Sequence, residues 1–171
     1  ELIPTLMTVS DVQKVLQGLL SENVSIAAVD LIVEHLVDLA RTEKDVGALT
    51  ELVRQRIGHT ICNTLRGRKR DLAVMSLDPR LENQIQANVA AAGKKDAFAL
   101  EPRLAEQLIR KIGAMAGEMM REGREAVLLC GPDIRRPLRA LTRRSIPKLA
   151  ILSISEIPLN IDLRSHGVIK L

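Results

Sequence analysis

The chain has 171 residues, 46% of them hydrophobic and 27% charged, with 25 Lys and Arg against 21 Asp and Glu. This composition excludes a disordered tail, a collagen-like repeat and a disulfide scaffold, and the length is enough for one or two domains with a sizeable core. With no Trp, no Tyr and a single Phe98, that core must be aliphatic, and the aromatic faces on which unpaired nucleic-acid bases stack are missing. Cys62 and Cys130 stand far apart beside apolar neighbours and read as buried small hydrophobes in a reducing compartment.

From Thr8 to Leu20, apolar residues at Val9, Val12, Val15, Leu16, Leu19 and Leu20 form one helical stripe, and Thr8 with Asp11 fits a capping box. A second helix is expected from after Ser25 to about Arg41, with Val29, Ile32, Val33, Leu36, Leu39 and Ala40 inward. A third follows an Asp45 cap and carries Leu49, Leu52, Val53, Ile57, Ile61 and Leu65 inward. These three make a small helical bundle over residues 1–66. The basic run Arg66 to Arg70 then marks a boundary.

Beyond it, Leu72 to Leu77 reads as a buried strand. A helix from Pro79 to Ala92, a loop from Gly93 to Phe98 and a long helix from Pro102 to Arg121 follow. Pro79 and Pro102 each suit a first helical turn. Strands at Ala126 to Cys130, Leu149 to Ile154 and Val168 to Leu171, with a helix from Asp133 to Arg144, complete an α/β subdomain over residues 67–171. Near-continuous apolar strands alternating with helices imply a mostly parallel sheet covered on both faces. Charge divides at the same place: residues 1–66 hold six basic and nine acidic side chains, net −3, and residues 67–171 hold 19 and 12, net +7.

The first residue is Glu1, with no charged-to-apolar leader, so the chain reads as an excised piece, and its apolar runs are too short to span a membrane. His35, His59 and His166 lie on different elements without metal-ligand spacing, and no cofactor is implied. Cys130 precedes Gly131-Pro132-Asp133, which lacks the flanking glycines of a nucleophile elbow; Asp133 is better read as a helix cap. No Walker A or Gly-x-Gly-x-x-Gly motif occurs, so no nucleotide site is indicated, and with no metal, nucleophile or nucleotide grouping left no enzyme is expected. The densest charge is Arg135, Arg136, Arg139, Arg143, Arg144 and Lys148, a candidate dock for an acidic protein surface. A basic nucleic-acid-binding module is the competing reading, disfavoured by the lack of aromatics and of a DNA-reading helix pair.

Several stretches together resemble the cytoplasmic portion of the type III export gate family, which comprises the flagellar biosynthesis protein FlhA and virulence-secretion homologues of the SctV class. They are Glu1-Leu2-Ile3-Pro4, Val12 to Leu20, Asn23-Val24-Ser25-Ile26, Leu49 to Arg54 with Ile61-Cys62, and Leu77-Asp78-Pro79. Val127-Leu128-Leu129, Ile134-Arg135-Arg136-Pro137-Leu138 and Ile146 to Ile157 extend the resemblance over essentially the whole chain.

The resemblance implies the last two parts of a four-part cytoplasmic domain, at the cytoplasmic face of the bacterial inner membrane, with membrane attachment only through an N-terminal domain. It implies a homo-oligomeric ring, nonameric in the family, that receives chaperone-bound export substrates and the export ATPase stalk and binds no nucleic acid. The flagellar system is preferred over the virulence system. Where the family usually has Arg and a polar residue, this chain has Ala27 and Ala28, so its ring should be weak or the chain monomeric. Candidate assembly residues are Ala27, Ala28, Asp30, Glu34, Arg54 and Arg56; candidate partner contacts are Arg135, Arg136, Arg139, Arg143 and Arg144.

Overall fold

A computed structural model describes residues 2–93 and 100–171. Its internal contacts divide the chain into two compact units, Glu1–Ile61 and Cys62–Leu171. The division falls inside a helix, a few residues before the change in charge.

In the first unit, α1 (Val9–Ser21) begins with the expected capping box. The Thr8 hydroxyl accepts from the Asp11 N–H at 3.1 Å, and Asp11 Oδ2 accepts from the Thr8 N–H at 3.3 Å. Val15 and Leu19, one turn apart, are buried, whereas Val9 and Leu20 of the expected stripe are exposed. Val9 stands at the first turn and Leu20 lies about 100° around the helix from Leu19, outside the narrow arc that packing covers. The second helix, α2 (Val29–Leu39), starts later than expected. Ala27 and Ala28 lie in the turn before it, and Val29 is exposed rather than inward. Ala28 is the N-cap and has no side-chain acceptor to offer.

The expected third helix is two: α3 (Val46–Arg56), capped by Asp45, and α4 (Gly58–Arg66). Ile57 between them has φ −102° and ψ 18°, off the helical well, and Gly58 follows, the poorest helix former after proline. Leu36, Leu49 and Val53 join Val15, Leu19 and Ile32 in the buried interior of this unit. Gly18 permits close packing there, since a Cβ would stand 3.2 Å from Thr50 Cγ2.

In the second unit, β1 (Leu72–Leu77), α5 (Pro79–Ala92), α6 (Pro102–Arg121), β2 (Val127–Cys130), α7 (Pro132–Thr142) and β3 (Ala150–Ser153) follow in the expected order. From residue 94 on, the expected loop lies outside the described residues. The last strand, β4 (Leu163–Ile169), is longer than expected and starts earlier. The sheet runs β3-β2-β1-β4 with every pair parallel. Both crossovers, β1 to β2 and β2 to β3, step in the same direction, so right-handed connections carry their helices to one side. Alternate residues Ala73, Met75, Leu77, Leu128, Cys130, Ile151 and Ile169 accordingly share one core with Leu81 and Ile85 of α5, Leu108, Ile112 and Met119 of α6, and Ile134 and Leu138 of α7. The sheet is flanked by helices and covered on both faces, as expected: α5, α6 and α7 lie against this face, and Leu72, Val74, Val127 and Leu152 of the other face are buried too.

Candidate functional site

In the first unit the candidate assembly residues part into two groups. Ala27, Ala28, Asp30 and Glu34 are exposed. Asp30 and Glu34 stand one helical turn apart, with Asp30 in the first turn of α2, where a carboxylate complements the helix dipole. Exposed Val29 and Leu31 on α2 put apolar surface beside these carboxylates. Arg56 is half-exposed but engaged, its Nη2 donating to Asp38 Oδ2 at 2.8 Å.

Arg54 does not belong with them. It is 2% exposed, with Nη1 4.0 Å from Glu22 Oε2. It lies next to Val53 on the inner face of α3, and a cation so desolvated is held by its carboxylate rather than offered to a neighbour.

The basic cluster of the second unit is also divided by the fold. Arg135 is 1% exposed, and its Nη1 donates to the carbonyl of Ile151 at 3.2 Å. Arg139 is half-buried with Nη1 3.5 Å from the carbonyl of Leu149, and Arg136 is half-buried as well. Arg143, at the C-cap of α7, and Arg144 are exposed, as is Lys148 beyond them. Arg135 is therefore withdrawn as a partner contact: it falls three residues before Leu138 and seven before Thr142, on the buried side of α7. That spacing is legible in the sequence, although arginine is among the residues least often buried. The accessible cluster is Arg143, Arg144 and Lys148, at the end of α7 where cations are favoured.

Several polar anchors were not singled out from the sequence. Arg124 binds Asp71 twice, with Nη2 2.7 Å from Oδ1 and Nη1 donating to the Asp71 carbonyl at 2.8 Å. The side-chain hydrogen bond from Arg124, with further attraction from Arg124 and Arg164, holds the Asp71 carboxyl below its ordinary value. Glu82 Oε1 accepts from the Gly131 N–H at 2.7 Å and so ties α5 to the start of α7. Buried Glu156 caps its own turn by accepting from the Ser153 N–H at 2.8 Å. The first two pair residues far apart in sequence, which no short-range pattern announces, whereas Ser153 and Glu156 form a Ser-x-x-Glu capping box that the sequence does display.

Cys62 and Cys130 are buried and unbridged. Among the described residues no group of three His, Cys, Asp or Glu side chains is placed to hold a metal ion, and no helix is long and apolar enough to cross a membrane. The geometry is that of a scaffold presenting two charged surfaces, one carboxylate-bearing and one cationic.

Comparison with known proteins gives these surfaces a context. The model of the FHIPEP family matches residues 1–162. The flagellar biosynthesis protein FlhA of Bacillus subtilis is 32% identical over 171 residues, a match that covers 100% of this chain and 25% of the relative. The nonameric SctV-C of EPEC, solved by cryo-electron microscopy, superposes with a TM-score of 0.80 at 28% identity, over 96% of this chain and 49% of that one. The Chlamydia pneumoniae CdsV, solved in complex with CdsO, gives a TM-score of 0.81 at 28% identity, over 96% and 48%. The chain thus spans about a quarter of the length of the FlhA relative.

Proposed function

The chain belongs to the FHIPEP family, and on that premise we infer that it is a non-enzymatic piece of the type III protein export gate, lying at the cytoplasmic face of the bacterial inner membrane. It contributes to a homo-oligomeric ring that docks chaperone-substrate complexes and the export ATPase stalk. The observation that carries this reading is the likeness of essentially the whole chain to the nonameric SctV-C and to the nonameric EscV cytosolic domain of a type III secretion system. The flagellar system is preferred, in line with the 32% identity to FlhA.

The surfaces suit such a role. The exposed face of α2, with Val29, Leu31, Asp30 and Glu34, supplies lateral contacts, and Arg143, Arg144 and Lys148 draw acidic partners. Attraction of this kind is screened over roughly 8 Å at physiological salt, so partner binding weakens as salt rises. Ala27 and Ala28 offer neither charge nor hydrogen bond beside the lateral face, which supports a weak ring; a stable ring at low micromolar concentration in light scattering contradicts that part.

The test is a graft. This chain replaces the matching segment of Bacillus subtilis FlhA, and in parallel that of the EPEC SctV, and filament export and injectisome secretion are measured. Recovery of export in the first supports the flagellar reading, and recovery only in the second moves it to the virulence gate. A chimaera that accumulates in the membrane yet restores neither overturns the export-gate assignment.

A further inference from the structure

The two edges of the parallel sheet are finished differently. Along β3 the Ala150 N–H turns inward to the Ala126 carbonyl at 2.9 Å, so the carbonyls of Leu149 and Ile151 face outward. Those two are covered from within the chain by Arg139 and Arg135 of α7. The β3 edge is therefore short and closed by the protein's own cations, a common way of keeping a sheet from pairing further.

The β4 edge has seven residues, is mostly exposed, and has no strand beyond it among the described residues. The Asp162 carbonyl accepts from the Leu72 N–H at 2.8 Å, and the Ile169 carbonyl from the Asp78 N–H at 2.9 Å, so both face β1. The register slips by one residue at His166. Alternation on either side of that bulge then leaves Leu163, Ser165 and Val168 with their N–H and C=O groups directed outward. Leu163 and Val168 also keep 44% and 41% of their surface exposed. The bulge is pinned to α6, with His166 Nε2 3.4 Å from Glu118 Oε2 and Nδ1 3.7 Å from Glu122 Oε2. Because a bulge twists the strand locally, it disfavours flat pairing with a second folded sheet, whereas a pliable segment can follow it.

Charge selects the segment. The turn that leads into β1, Arg66 to Asp71, residues 162–171 and the side chains that contact them, Lys111, Glu118, Glu122 and Arg124, hold eight basic and four acidic groups. Asp71 is engaged by Arg124, and Arg68, Lys69, Arg70, Arg164 and Lys170 are exposed. Cations thus border the open edge at both ends. We propose that the outer edge of β4 is a docking site for an extended, acidic peptide segment that joins the sheet by strand addition. Main-chain bonds to Leu163, Ser165 and Val168 supply the affinity, and the flanking arginines and lysines supply the preference for acid.

The experiment follows amide hydrogen exchange by NMR in the isotope-labelled chain, with a capped peptide alternating Val and Glu as the probe. A Val/Lys peptide and a Val/Glu peptide N-methylated at alternate residues serve as controls. Exchange at Leu163, Ser165 and Val168 slows by about tenfold or more with the first peptide and with neither control. Val168→Pro removes an outward donor while Gly167 and Ile169 keep the ladder to β1, and it abolishes the protection without altering the circular dichroism. Arg68→Glu with Arg70→Glu leaves the edge intact and weakens binding by about tenfold, so the proposal stays testable even if the proline variant unfolds. Absence of protection at millimolar peptide overturns the proposal, as does equal protection by the Val/Lys peptide. Protection that grows with chain concentration alone also overturns it, and assigns the edge to a second copy.

Discussion

Arg135 separates two accounts of the basic helix, and its replacement gives them different outcomes. If its guanidinium belongs to the fold, Arg135→Ala removes a charge-assisted hydrogen bond to the Ile151 carbonyl, worth about 1.5–3 kcal/mol, and also the packing of the aliphatic stem. Arg135→Met keeps most of the stem and loses only the bond. Together these give roughly 2–4 kcal/mol for the alanine variant and about 1.5–3 kcal/mol for the methionine variant, the alanine variant being the less stable of the two. The second unit runs from Cys62 to Leu171, and for a unit of that size each kcal/mol moves the melting midpoint by roughly 4 °C. Arg135→Ala should therefore melt roughly 8–16 °C lower, with Arg135→Met between it and the unaltered chain. With no Trp or Tyr to report, far-ultraviolet circular dichroism and scanning calorimetry are the assays. Arg143→Glu with Arg144→Glu, on exposed side chains, costs only what placing anions at a helix C-terminus costs, about 0.5–1.5 kcal/mol, and so melts above Arg135→Ala. An Arg135→Ala variant that melts within about 2 °C of the parent refutes the structural role and returns Arg135 to the docking surface.

Ala28→Asp provides the side-chain acceptor that the N-cap of α2 lacks, and should stabilise the first unit by about 0.5–1 kcal/mol, read as a higher urea midpoint with unchanged slope. Ile112→Ala opens a cavity in the fully buried stripe of α6 and should cost about 2–5 kcal/mol in the second unit by calorimetry. Asp71 has a folded pKa below its unfolded value, so its contribution is present above the unfolded value of 3.8 and is lost as pH falls through the folded one. The melting difference between the parent and Asp71→Asn should accordingly be largest near neutral pH and shrink below about pH 4; a difference constant to pH 2 contradicts the Arg124 pairing.

What the sequence determined by itself is the part governed by local chemistry. Thr8 and Asp11 set the start of α1, Pro79 and Pro102 the starts of α5 and α6, and the run Leu72 to Leu77 a strand buried on both faces. Those signals operate within a turn or a few residues, so they survive without knowledge of neighbours. The break at Ile57 was hidden because apolar spacing continues through it, and the late start of α2 because alanine's helix preference does not supply a cap. The first half of β4 was missed because an edge strand with polar Arg164, Ser165 and His166 has no apolar alternation to show. Only the tertiary structure decided which arginines are exposed and which are buried scaffold. Arg54 is buried because Glu22 waits on another segment, and Arg135 because an outward carbonyl of β3 needs a donor. A charged side chain enters the interior only where a partner meets it, and that partner lies sixteen residues away in one case and thirty-two in the other.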